Sequence, residues 1–436
     1  MEPDTKSGTL ADWLTHLESL HPKTIDMGLE RVNRVRTELD LAPSFPIITV
    51  GGTNGKGSTC AMLESILSRA GYRVGCYTSP HLLRYNERVQ ISRREAADGE
   101  LCNAFQVVES ARIGSGISLT YFEFGTLAAM RLFSQAGVDV AILEVGLGGR
   151  LDAVNIFDAD CAVLTSIDCD HMDYLGDTRE KIGMEKAGIF RSGRAAICSE
   201  PDIPATVRHH AKAIGAHLMH IGEHFGYSAN AVDATLWGYW GPGGKRHALP
   251  YPALRGACQL HNASACLAAL DAVKDRLPVT MSDVRQGLLD VALPGRFQVL
   301  PGRPATVLDV AHNPHAAHAL AIDLGGMGRY RKTYAVFAML RDKDIAGVAR
   351  ALAAKVDMWL TAGIDAPRGA SADETAQALE AAGISRTEET VRTFPNPAMA
   401  YAYACERAAE NDRICVFGSF HTVAEVLRYR NTVEHG

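Results

Sequence analysis

A glycine-rich turn between an apolar run and a helical stretch constrains this chain more than any other feature. Residues 49–59 read Thr-Val-Gly-Gly-Thr-Asn-Gly-Lys-Gly-Ser-Thr and overlap the end of the apolar run 45–50. In a strand–turn–helix unit, glycines let the backbone curl around an anion, while amide groups and the helix N-terminus point at its charge. Lys56 adds a cation. The order of elements therefore predicts a phosphate cradle rather than a surface turn.

The cradle departs from the usual P-loop pattern, GxxxxGK[ST]. Val50 stands where the first glycine belongs, and Gly57 separates Lys56 from Ser58. The run Gly-Thr-Asn-Gly-Lys-Gly-Ser at 52–58 instead resembles the ATP loop of the Mur ligase superfamily, whose members form amides with ATP. This resemblance implies that ATP phosphates are bound by Gly52, Thr53, Asn54, Gly55, Lys56, Gly57 and Ser58.

Length and composition are those of a soluble globular protein with more than one domain. A chain of 436 residues is long enough for two or three domains. Its 47% hydrophobic and 22% charged residues are ordinary for globular proteins. A net charge of −6 gives no reason to expect nucleic acid or an anionic membrane surface as partner. No apolar run reaches the length of a membrane span.

The N-terminus and the cysteines favour a cytoplasmic location. The first residues, Met-Glu-Pro-Asp-Thr-Lys, lack the basic and apolar regions of a signal peptide. The ten cysteines are scattered, none of them in a C-x-x-C pair, and several fall in apolar runs. Buried free thiols in a reducing compartment explain this pattern better than disulfides or a zinc site.

The first part of the chain alternates strands and helices and predicts a mostly parallel α/β sheet. Strand-like runs lie at 46–50, 73–78, 139–144 and 160–165, with helical patterns near 57–70, 122–136 and 178–188. Residues 216–250 change in character and predict a small antiparallel excursion, which helices near 261–276 and 281–290 follow.

A second alternation predicts a Rossmann-like α/β domain. Its candidate strands are 305–310, 333–338, 357–361, 391–394 and 413–418. The predicted organisation is therefore an ATP- and substrate-binding domain at 1–293, a hinge at 294–298 and a C-terminal domain at 299–436. Two such domains favour a site in the cleft between them, which closes on substrate.

Three strand-end side chains are candidates for a magnesium site. Ser79 follows the second strand, Glu144 ends the third, and His171 follows the fourth. The loops after parallel strands gather at one sheet edge, and Mg²⁺ prefers oxygen donors beside a phosphate. The alternatives are a plain Ser-Pro turn, a carboxylate that caps its own turn, and a histidine satisfied by its surroundings. Lys186, in Met-Glu-Lys-Ala-Gly, has the alternative of a solvated helix lysine.

An ordered set of motifs resembles the folylpolyglutamate synthase branch of the Mur ligase superfamily, and particularly its bacterial bifunctional dihydrofolate synthase/folylpolyglutamate synthases. The resemblance spans nearly the whole chain. Its motifs are Lys23-Thr24-Ile25-Asp26-Met27-Gly28-Leu29-Glu30-Arg31, the run 52–58, Tyr77-Thr78-Ser79-Pro80-His81, Arg84-Tyr85-Asn86-Glu87-Arg88, the runs 120–126 and 144–155, Asp170-His171, Glu185-Lys186-Ala187-Gly188, His261-Asn262, Pro294-Gly295-Arg296-Phe297, the run 309–314 and Gly418-Ser419-Phe420-His421.

The resemblance implies roles for individual residues. Ser79, Glu144 and His171 would bind Mg²⁺, and Lys186 would be carbamylated to N6-carboxylysine and help to hold a second ion. Asn262, Arg296 and Asp309 would contact ATP, with Arg296 reaching across the hinge and acting with Lys56 in catalysis. His312 and Ser419 would lie near the nucleotide and the incoming glutamate. The pteroate pocket would be shaped by Asp26, Met27, Arg84, Thr120, Tyr121, Phe122, Glu123, Phe124, Leu151, Asp152, Ala153 and Asn155.

The implied activity is ATP-dependent addition of L-glutamate to 7,8-dihydropteroate and to reduced folates such as tetrahydrofolate, by a monomer. For Phe122 and Phe124 core packing is an equal alternative, and Ser419 could be a helix cap. Alternatives for the whole chain are a folylpolyglutamate synthase without the first activity, a nucleotide-dependent binding protein that is no ligase, and a kinase with a stable phosphorylated product. A cell-wall Mur ligase is disfavoured because its extra N-terminal domain has no room before the ATP loop at residue 52.

Overall fold

A computed structural model describes residues 8–23, 25–229 and 235–435. The chain forms two compact units, the first of residues 1–253 and 260–291 and the second of residues 254–259 and 292–436. The predicted first domain, 1–293, includes residues 254–259 and 292–293, which belong to the second unit. Residues 294–298 lie within the second unit, and their role as a hinge stays a prediction.

The first unit is built on one eight-stranded sheet with the order β4-β3-β2-β5-β1-β6-β7-β8. Its strands are β1 Ile47–Gly51, β2 Val74–Tyr77, β3 Val89–Ile91, β4 Arg94–Glu95, β5 Val140–Glu144, β6 Cys161–Leu164, β7 Ala195–Cys198 and β8 His217–His220. The six neighbouring strands β2, β5, β1, β6, β7 and β8 pair in parallel. The strands β3 and β4 add an antiparallel edge beside β2. The carboxyl ends of β2, β5, β1 and β6 therefore meet at one sheet edge.

Helices surround this sheet, as expected for a parallel sheet whose central strands are apolar throughout. They are α1 Leu10–Ser19, α2 Glu30–Glu38, α3 Lys56–Arg69, α4 Asp98–Ser115, α5 Tyr121–Ala136, α6 Met172–Leu175, α7 Arg179–Ala187, α8 Ala205–Ile214, α9 Gln259–Ala272 and α10 Met281–Asp290. Two 3₁₀ turns, Tyr85–Arg88 and Ala153–Ile156, interrupt the loops. The helix α5 begins with Thr120 as its N-cap and ends at Gly137 in the left-handed conformation.

The antiparallel excursion is smaller than the sequence predicts. The strands β9 Gly226–Ala229, β10 Leu236–Gly241 and β11 Gly244–Pro250 form a separate three-stranded antiparallel sheet. The prediction was wrong for β8, which pairs in parallel with β7 as the last strand of the main sheet. With the sequence His-Leu-Met-His, β8 lacks the continuous apolar run that marks the other parallel strands, because it lies at the sheet edge.

The second unit is a six-stranded sheet with the order β12-β13-β17-β14-β15-β16, parallel except for β12. Its strands are β12 Gln298–Leu300, β13 Ala305–Leu308, β14 Thr333–Phe337, β15 Met358–Ala362, β16 Val391–Phe394 and β17 Arg413–Phe417. Its helices are α11 Pro314–Gly326, α12 Ile345–Leu352, α13 Ala372–Ala381, α14 Pro397–Arg407 and α15 Phe420–His435, with a 3₁₀ turn at Ala353–Lys355. All five strands predicted from the sequence are present, so the Rossmann-like prediction is confirmed.

The thiols and helices agree with the compositional reading. All ten cysteines are free, and six of them are buried, as in Cys76 and Cys415. Cys169, Cys258 and Cys405 are exposed, so burial does not explain these three. Within the described ranges, every helix is too short or too polar to cross a lipid bilayer.

Candidate active site

Two glycines give the cradle after β1 its shape. Gly52 has φ 144° and Gly55, the N-cap of α3, has φ 88°, both outside the range that side chains tolerate. A Cβ on Gly52 would collide with the hydroxyl of Thr165, and one on Gly55 would lie 2.5 Å from Oδ1 of Asn262. Glycine is therefore required here for both backbone conformation and space. Asn262 of α9 lies against the cradle, and its predicted contact with ATP stays a prediction.

The loop after β6 holds the cradle in place. The N–H of Thr53 donates to the Ser166 carbonyl at 2.8 Å, and the N–H of Asn54 donates to Oγ of Ser166 at 2.9 Å. Oγ1 of Thr165 donates to the Asn54 carbonyl at 2.6 Å. These bonds fix the cradle before any ligand arrives, which reduces the ordering cost of binding.

Lys56 brings its charge into the cradle. Its Nζ donates to the carbonyls of Gly52 and Thr53 at 3.0 and 3.2 Å. The side chain therefore folds back over the turn, and the ammonium group lies at the amino end of α3. A phosphate at this position would meet the lysine, the amide groups and the helix dipole together.

Two of the predicted metal ligands meet at the neighbouring strand ends. Glu144 ends β5 and pairs in register with Val50 of β1, which places its carboxylate beside the cradle. Its Oε2 accepts a hydrogen bond from the N–H of Ser79 at 3.0 Å. Glu144 is buried, and a buried carboxylate needs such donors or a cation.

His171 and Lys186 complete the predicted metal set. His171 has φ 53°, a strained value for histidine, and its Nε2 lies 3.9 Å from a carboxylate oxygen of Asp170. Lys186 of α7 is only 4% exposed. Burial first, and then the charge of Lys56, lower the pKa of Lys186 to about 7, although Asp170 and Asp152 oppose the shift.

The donor chemistry fits magnesium only if oxygens from outside the protein complete the site. Among the residues that the structure describes, no three His, Cys, Asp or Glu side chains come together as a ready metal site. Mg²⁺ commonly retains waters and binds through one or two carboxylates plus phosphate oxygens. Glu144 would supply the carboxylate and the Ser79 hydroxyl a further oxygen, and a carbamate on Lys186 would supply a second anion.

The polar side chains of the predicted run 151–155 form hydrogen bonds within the protein. Asp152 accepts from the N–H groups of Leu147 and Val154 at 2.8 and 3.1 Å, and burial raises its pKa to about 7. The Asn155 amide donates to the Arg150 and Gly188 carbonyls at 3.0 and 3.1 Å. Ala153 is buried and Leu151 is half-buried. For Asn155 these bonds explain the residue without any ligand.

The predicted residues near the N-terminus are linked through one arginine. Arg31 forms ion pairs with Asp26 at 2.8 Å and with Glu123 at 3.0 Å. Glu123 also closes the capping box of α5 by accepting from the N–H of Thr120 at 2.7 Å. Met27 lies near the Gly148 turn, with its Cε 3.6 Å from where a Cβ would stand. The structure therefore brings Asp26, Thr120 and Glu123 together but satisfies both carboxylates internally.

The aromatic residues of α5 divide between two environments. Phe122 packs over Gly146 and has its ring 5.7 Å from the ring of Tyr77. Phe124 is fully buried, 5.7 Å from the ring of Phe105, so core packing explains it.

Arg84 stands apart from these residues. Its side chain is 67% exposed and pairs with Glu95 at the antiparallel edge. Nothing in these contacts of the first unit links Arg84 to the cradle or to α5.

The second unit gathers its predicted residues at the carboxyl ends of β13 and β17. Asp309 accepts from the N–H groups of Phe297 and Ala311 at 2.8 and 2.7 Å, and burial raises its pKa to about 6 against the pull of Arg296. The Arg296 guanidinium lies 5.0 Å from the centre of the Phe420 ring. His312 has its ring 6.2 Å from that of Phe420.

Ser419 lies in the same loop region. It is buried, and its Oγ accepts a hydrogen bond from the N–H of His421 at 3.2 Å. This bond fits the cap alternative for Ser419. The predicted ligand contacts of Arg296, Asp309 and His312 stay predictions.

Sequence reasoning did not single out three residues that shape the site. Thr165 and Ser166 anchor the cradle, and Arg31 joins Asp26 to Glu123. Thr165 and Ser166 carried a signal, since they are polar residues at the end of a parallel strand. Arg31 carried a signal only as the last residue of the motif 23–31, and its pairing with Glu123, 92 residues away, could not be read from the sequence.

Comparisons with known proteins identify the relatives of this chain. The Mur ligase middle domain model matches residues 50–270, and the Mur ligase glutamate ligase domain model matches residues 295–420. The dihydrofolate synthase/folylpolyglutamate synthase of Escherichia coli is 48% identical over 96% of this chain and 94% of its own length. The enzyme of the same name from Mycobacterium tuberculosis is 32% identical over 87% of this chain and 82% of its own length.

Solved structures agree with these relatives. Escherichia coli FolC in complex with DHPP and ADP has a TM-score of 0.92 and 45% identity, covering 98% of this chain and 99% of that chain. A bifunctional folylpolyglutamate synthase/dihydrofolate synthase with Mn, AMPPNP and L-glutamate bound has a TM-score of 0.89 and 46% identity, covering 98% of both chains. Sequence identity, domain matches and fold all point the same way, and the chain belongs to the dihydrofolate synthase/folylpolyglutamate synthase family of Mur ligases.

Proposed function

We propose that this chain is an ATP-dependent ligase that adds L-glutamate to 7,8-dihydropteroate and to reduced folates. The observation that carries this proposal is the preformed cradle of Gly52–Lys56 beside the buried carboxylate of Glu144. It combines a phosphate site with an adjacent oxygen-donor site in one unit. The relatives solved with ADP and DHPP, and with AMPPNP and L-glutamate, support the choice of substrates.

The reaction must join a carboxylate and an ammonium group, both unreactive as ions. In the proposed sequence, an acceptor carboxylate oxygen attacks the γ-phosphorus of ATP, ADP leaves, and an acyl phosphate forms. The neutral glutamate amine then attacks the acyl carbon, loses a proton and expels phosphate. Products are the amide, ADP and inorganic phosphate. In-line positioning of the reactants supplies much of the acceleration.

Cationic side chains lower the repulsion between the two anions. Lys56 is already fixed against the Gly52 and Thr53 carbonyls, so its charge needs no reorganisation when phosphate arrives. Arg296 and Asp309 are taken as nucleotide contacts from the resemblance, and His312 as a neighbour of glutamate. The position of Arg296 against Phe420 keeps its guanidinium ordered.

Ser79, Glu144 and His171 are the residues that would hold Mg²⁺. When bound, the ion would neutralise phosphate charge. Carbamylation of Lys186 is part of the proposal, and a second ion depends on it. Its environment supports carbamylation, because burial and the charge of Lys56 lower the pKa of Lys186 to about 7 and so favour the neutral amine that reacts with CO₂. The carbamate formed would be attracted by Lys56 instead of being repelled by it.

Several features support an acceptor pocket beside the cradle. An apolar wall is formed by Phe122, Gly146 and Tyr77, and Gly146 lies two residues after Glu144 in the chain. We keep four further predicted residues in the proposed pocket: Thr120, Met27, Leu151 and Ala153. Asp26, Glu123, Asp152 and Asn155 are held by internal bonds, so we assign them to its framework.

The test is release of ADP by the purified chain with Mg·ATP, L-glutamate and either 7,8-dihydropteroate or tetrahydrofolate. We expect both acceptors to gain glutamate by mass spectrometry, with ADP release dependent on both co-substrates. Addition to tetrahydrofolate alone would leave a folylpolyglutamate synthase. ATP binding without amide product would favour the non-ligase alternative, and a phosphorylated end product would indicate a kinase.

The same preparation tests Lys186. With ¹³C-labelled bicarbonate we expect a protein carbamate resonance that the Lys186→Arg variant lacks. If the two proteins gave identical spectra, carbamylation and the second ion would be withdrawn.

A further inference from the structure

Arg88 has no role in the reaction proposed above, yet its guanidinium is held in a defined position by three neighbouring side chains. Its guanidinium lies 5.4 Å from the centre of the Tyr85 ring and 5.4 Å from the centre of the Tyr121 ring. Its Nε–H donates to Nδ1 of His81 at 2.9 Å. Two aromatic contacts and one hydrogen bond fix the plane of the guanidinium, which is half-buried.

The outer nitrogens of this guanidinium are left open. Across residues 8–23, 25–229 and 235–435, no carboxylate forms an ion pair with Arg88, and the bond to His81 is its one side-chain hydrogen bond. Nearby arginines behave differently, since Arg84 pairs with Glu95 and Arg94 pairs with Glu100. A fixed guanidinium with a free fork is suited to bind a carboxylate through two parallel hydrogen bonds.

The position of Arg88 connects the two halves of the proposed site. Its carbonyl accepts from the N–H of Thr78 at 2.9 Å, so it lies opposite the residue that precedes Ser79. On the other side, Tyr121 is the first residue of α5, next to Phe122. Arg88 therefore lies between the strand end that carries Ser79 and the aromatic wall of the acceptor pocket.

We propose that Arg88, held between Tyr85 and Tyr121, binds the acceptor carboxylate that becomes activated, and that His81 orients its guanidinium. This inference rests on the proposed function. The reacting group is the benzoate carboxylate in 7,8-dihydropteroate and a carboxylate of the glutamate in tetrahydrofolate. Each must reach the same γ-phosphate, so one cation beside that point can bind either carboxylate. A cation at this position binds the acceptor and offsets repulsion from the ATP phosphates.

His81 acts through Arg88 and is a positioning residue. Because its Nδ1 accepts the Nε–H of Arg88, the ring proton lies on Nε2. His81→Asn keeps an acceptor near the position of Nδ1, whereas His81→Leu removes it. We expect KM for the acceptor to rise in the leucine variant and to recover most of the way in the asparagine variant, with no change in the affinity for ADP.

The test compares Arg88→Gln and Arg88→Lys with the control Arg94→Gln, which removes an exposed arginine of the neighbouring strand. Loss of a charge-assisted pair corresponds to roughly 10- to 100-fold. We expect Arg88→Gln to raise KM by that factor for 7,8-dihydropteroate and tetrahydrofolate alike. Arg88→Lys should fall between, because it keeps the charge without the fork. The affinity for ADP, measured by calorimetry, should be unchanged in all three.

A dihydropterin that carries an aniline in place of the 4-aminobenzoate separates carboxylate binding from damage to the pocket. It should bind the wild type and Arg88→Gln equally, while 7,8-dihydropteroate should discriminate between them. Equal losses with both ligands, a loss confined to tetrahydrofolate, or unchanged KM values would overturn the assignment. A wild-type chain that ligates neither acceptor would refute the proposed function instead, before any variant is compared.

Discussion

At the scale of single residues, the cradle combines a charge with a backbone that accepts few substitutions. Lys56 bonds to two carbonyls of the turn it follows, and Gly52 and Gly55 make room for Thr165 and Asn262. A lysine held in this way serves two purposes. It stabilises the turn through these two hydrogen bonds, and it presents its charge to phosphate without rearrangement.

Lys56→Ala should abolish turnover while leaving the fold intact. The loss of a preorganised cation at a phosphate lowers kcat by on the order of a hundredfold or more. The two carbonyl bonds are partly exposed and contribute little to stability. ADP release and the melting temperature would be measured together, with Lys181→Ala as control, since Lys181 pairs with Asp177 on the surface. Undiminished turnover, or loss of folding, would contradict the role of Lys56.

Candidate site residues could be predicted from the sequence where they belong to a local pattern. The cradle, Ser79, Glu144 and His171 all follow parallel strands, and the rule that such strand ends share an edge needs no three-dimensional information. The internal use of Asn155 and the aromatic contacts of Arg88 could not be foreseen. The bond of Asn155 to Gly188 and the contact of Arg88 with Tyr121 each join residues 33 positions apart, and no spacing rule predicts such pairs.

At the scale of elements, α3 is buried along most of its length and carries an unusual carboxylate. Glu64 is 6% exposed and accepts from the N–H of Arg93 at 3.3 Å, a long bond. Burial raises its pKa from 4.5 to about 7. The folded state therefore holds this proton more tightly than the unfolded state does. Between pH 4.5 and 7 the contribution of Glu64 to stability falls as the pH rises.

Glu64→Gln should consequently stabilise the first unit at pH 8 and have little effect near pH 4.5. A shift of this size corresponds to about 3 kcal/mol of unfolding free energy as an upper figure. Urea unfolding of variant and wild type at the two pH values measures the difference. Glu38→Gln, an exposed change on α2, is the control and should show no pH-dependent gain. A destabilised Glu64→Gln protein at pH 8 would mean that the ionised carboxylate is useful there.

Elements with continuous apolar runs were predicted well, and the others were not. The runs at 139–144 and 333–338 gave β5 and β14 within a residue or two. β8 was placed in the wrong sheet, and the short antiparallel strands β3 and β4 gave no signal at all. Edge strands bury only part of their surface, so their sequences stay mixed and their partners depend on tertiary structure.

At the scale of the whole molecule, two separate cores carry the two sets of proposed ligand-binding residues. The first core surrounds the sheet from β1 to β8, and the second is centred on Phe337, Trp359 and Phe417. The cradle and Asn262 belong to the first unit, whereas Arg296 and Asp309 belong to the second. If ATP is contacted by all of these residues, then nucleotide binding should slow amide hydrogen exchange in peptides of each unit.

Amide hydrogen exchange with and without Mg·ADP tests this at peptide resolution. A ligand that binds the folded state suppresses local opening wherever it makes contact. We expect slower exchange in peptides covering 52–58 and 260–272 of the first unit, and also in those covering 295–297 and 309–313 of the second. Arg296→Gln should abolish the second set and keep the first, while Lys56→Ala should weaken both. Protection confined to the first unit would remove Arg296 and Asp309 from the nucleotide site and leave the second unit with glutamate alone.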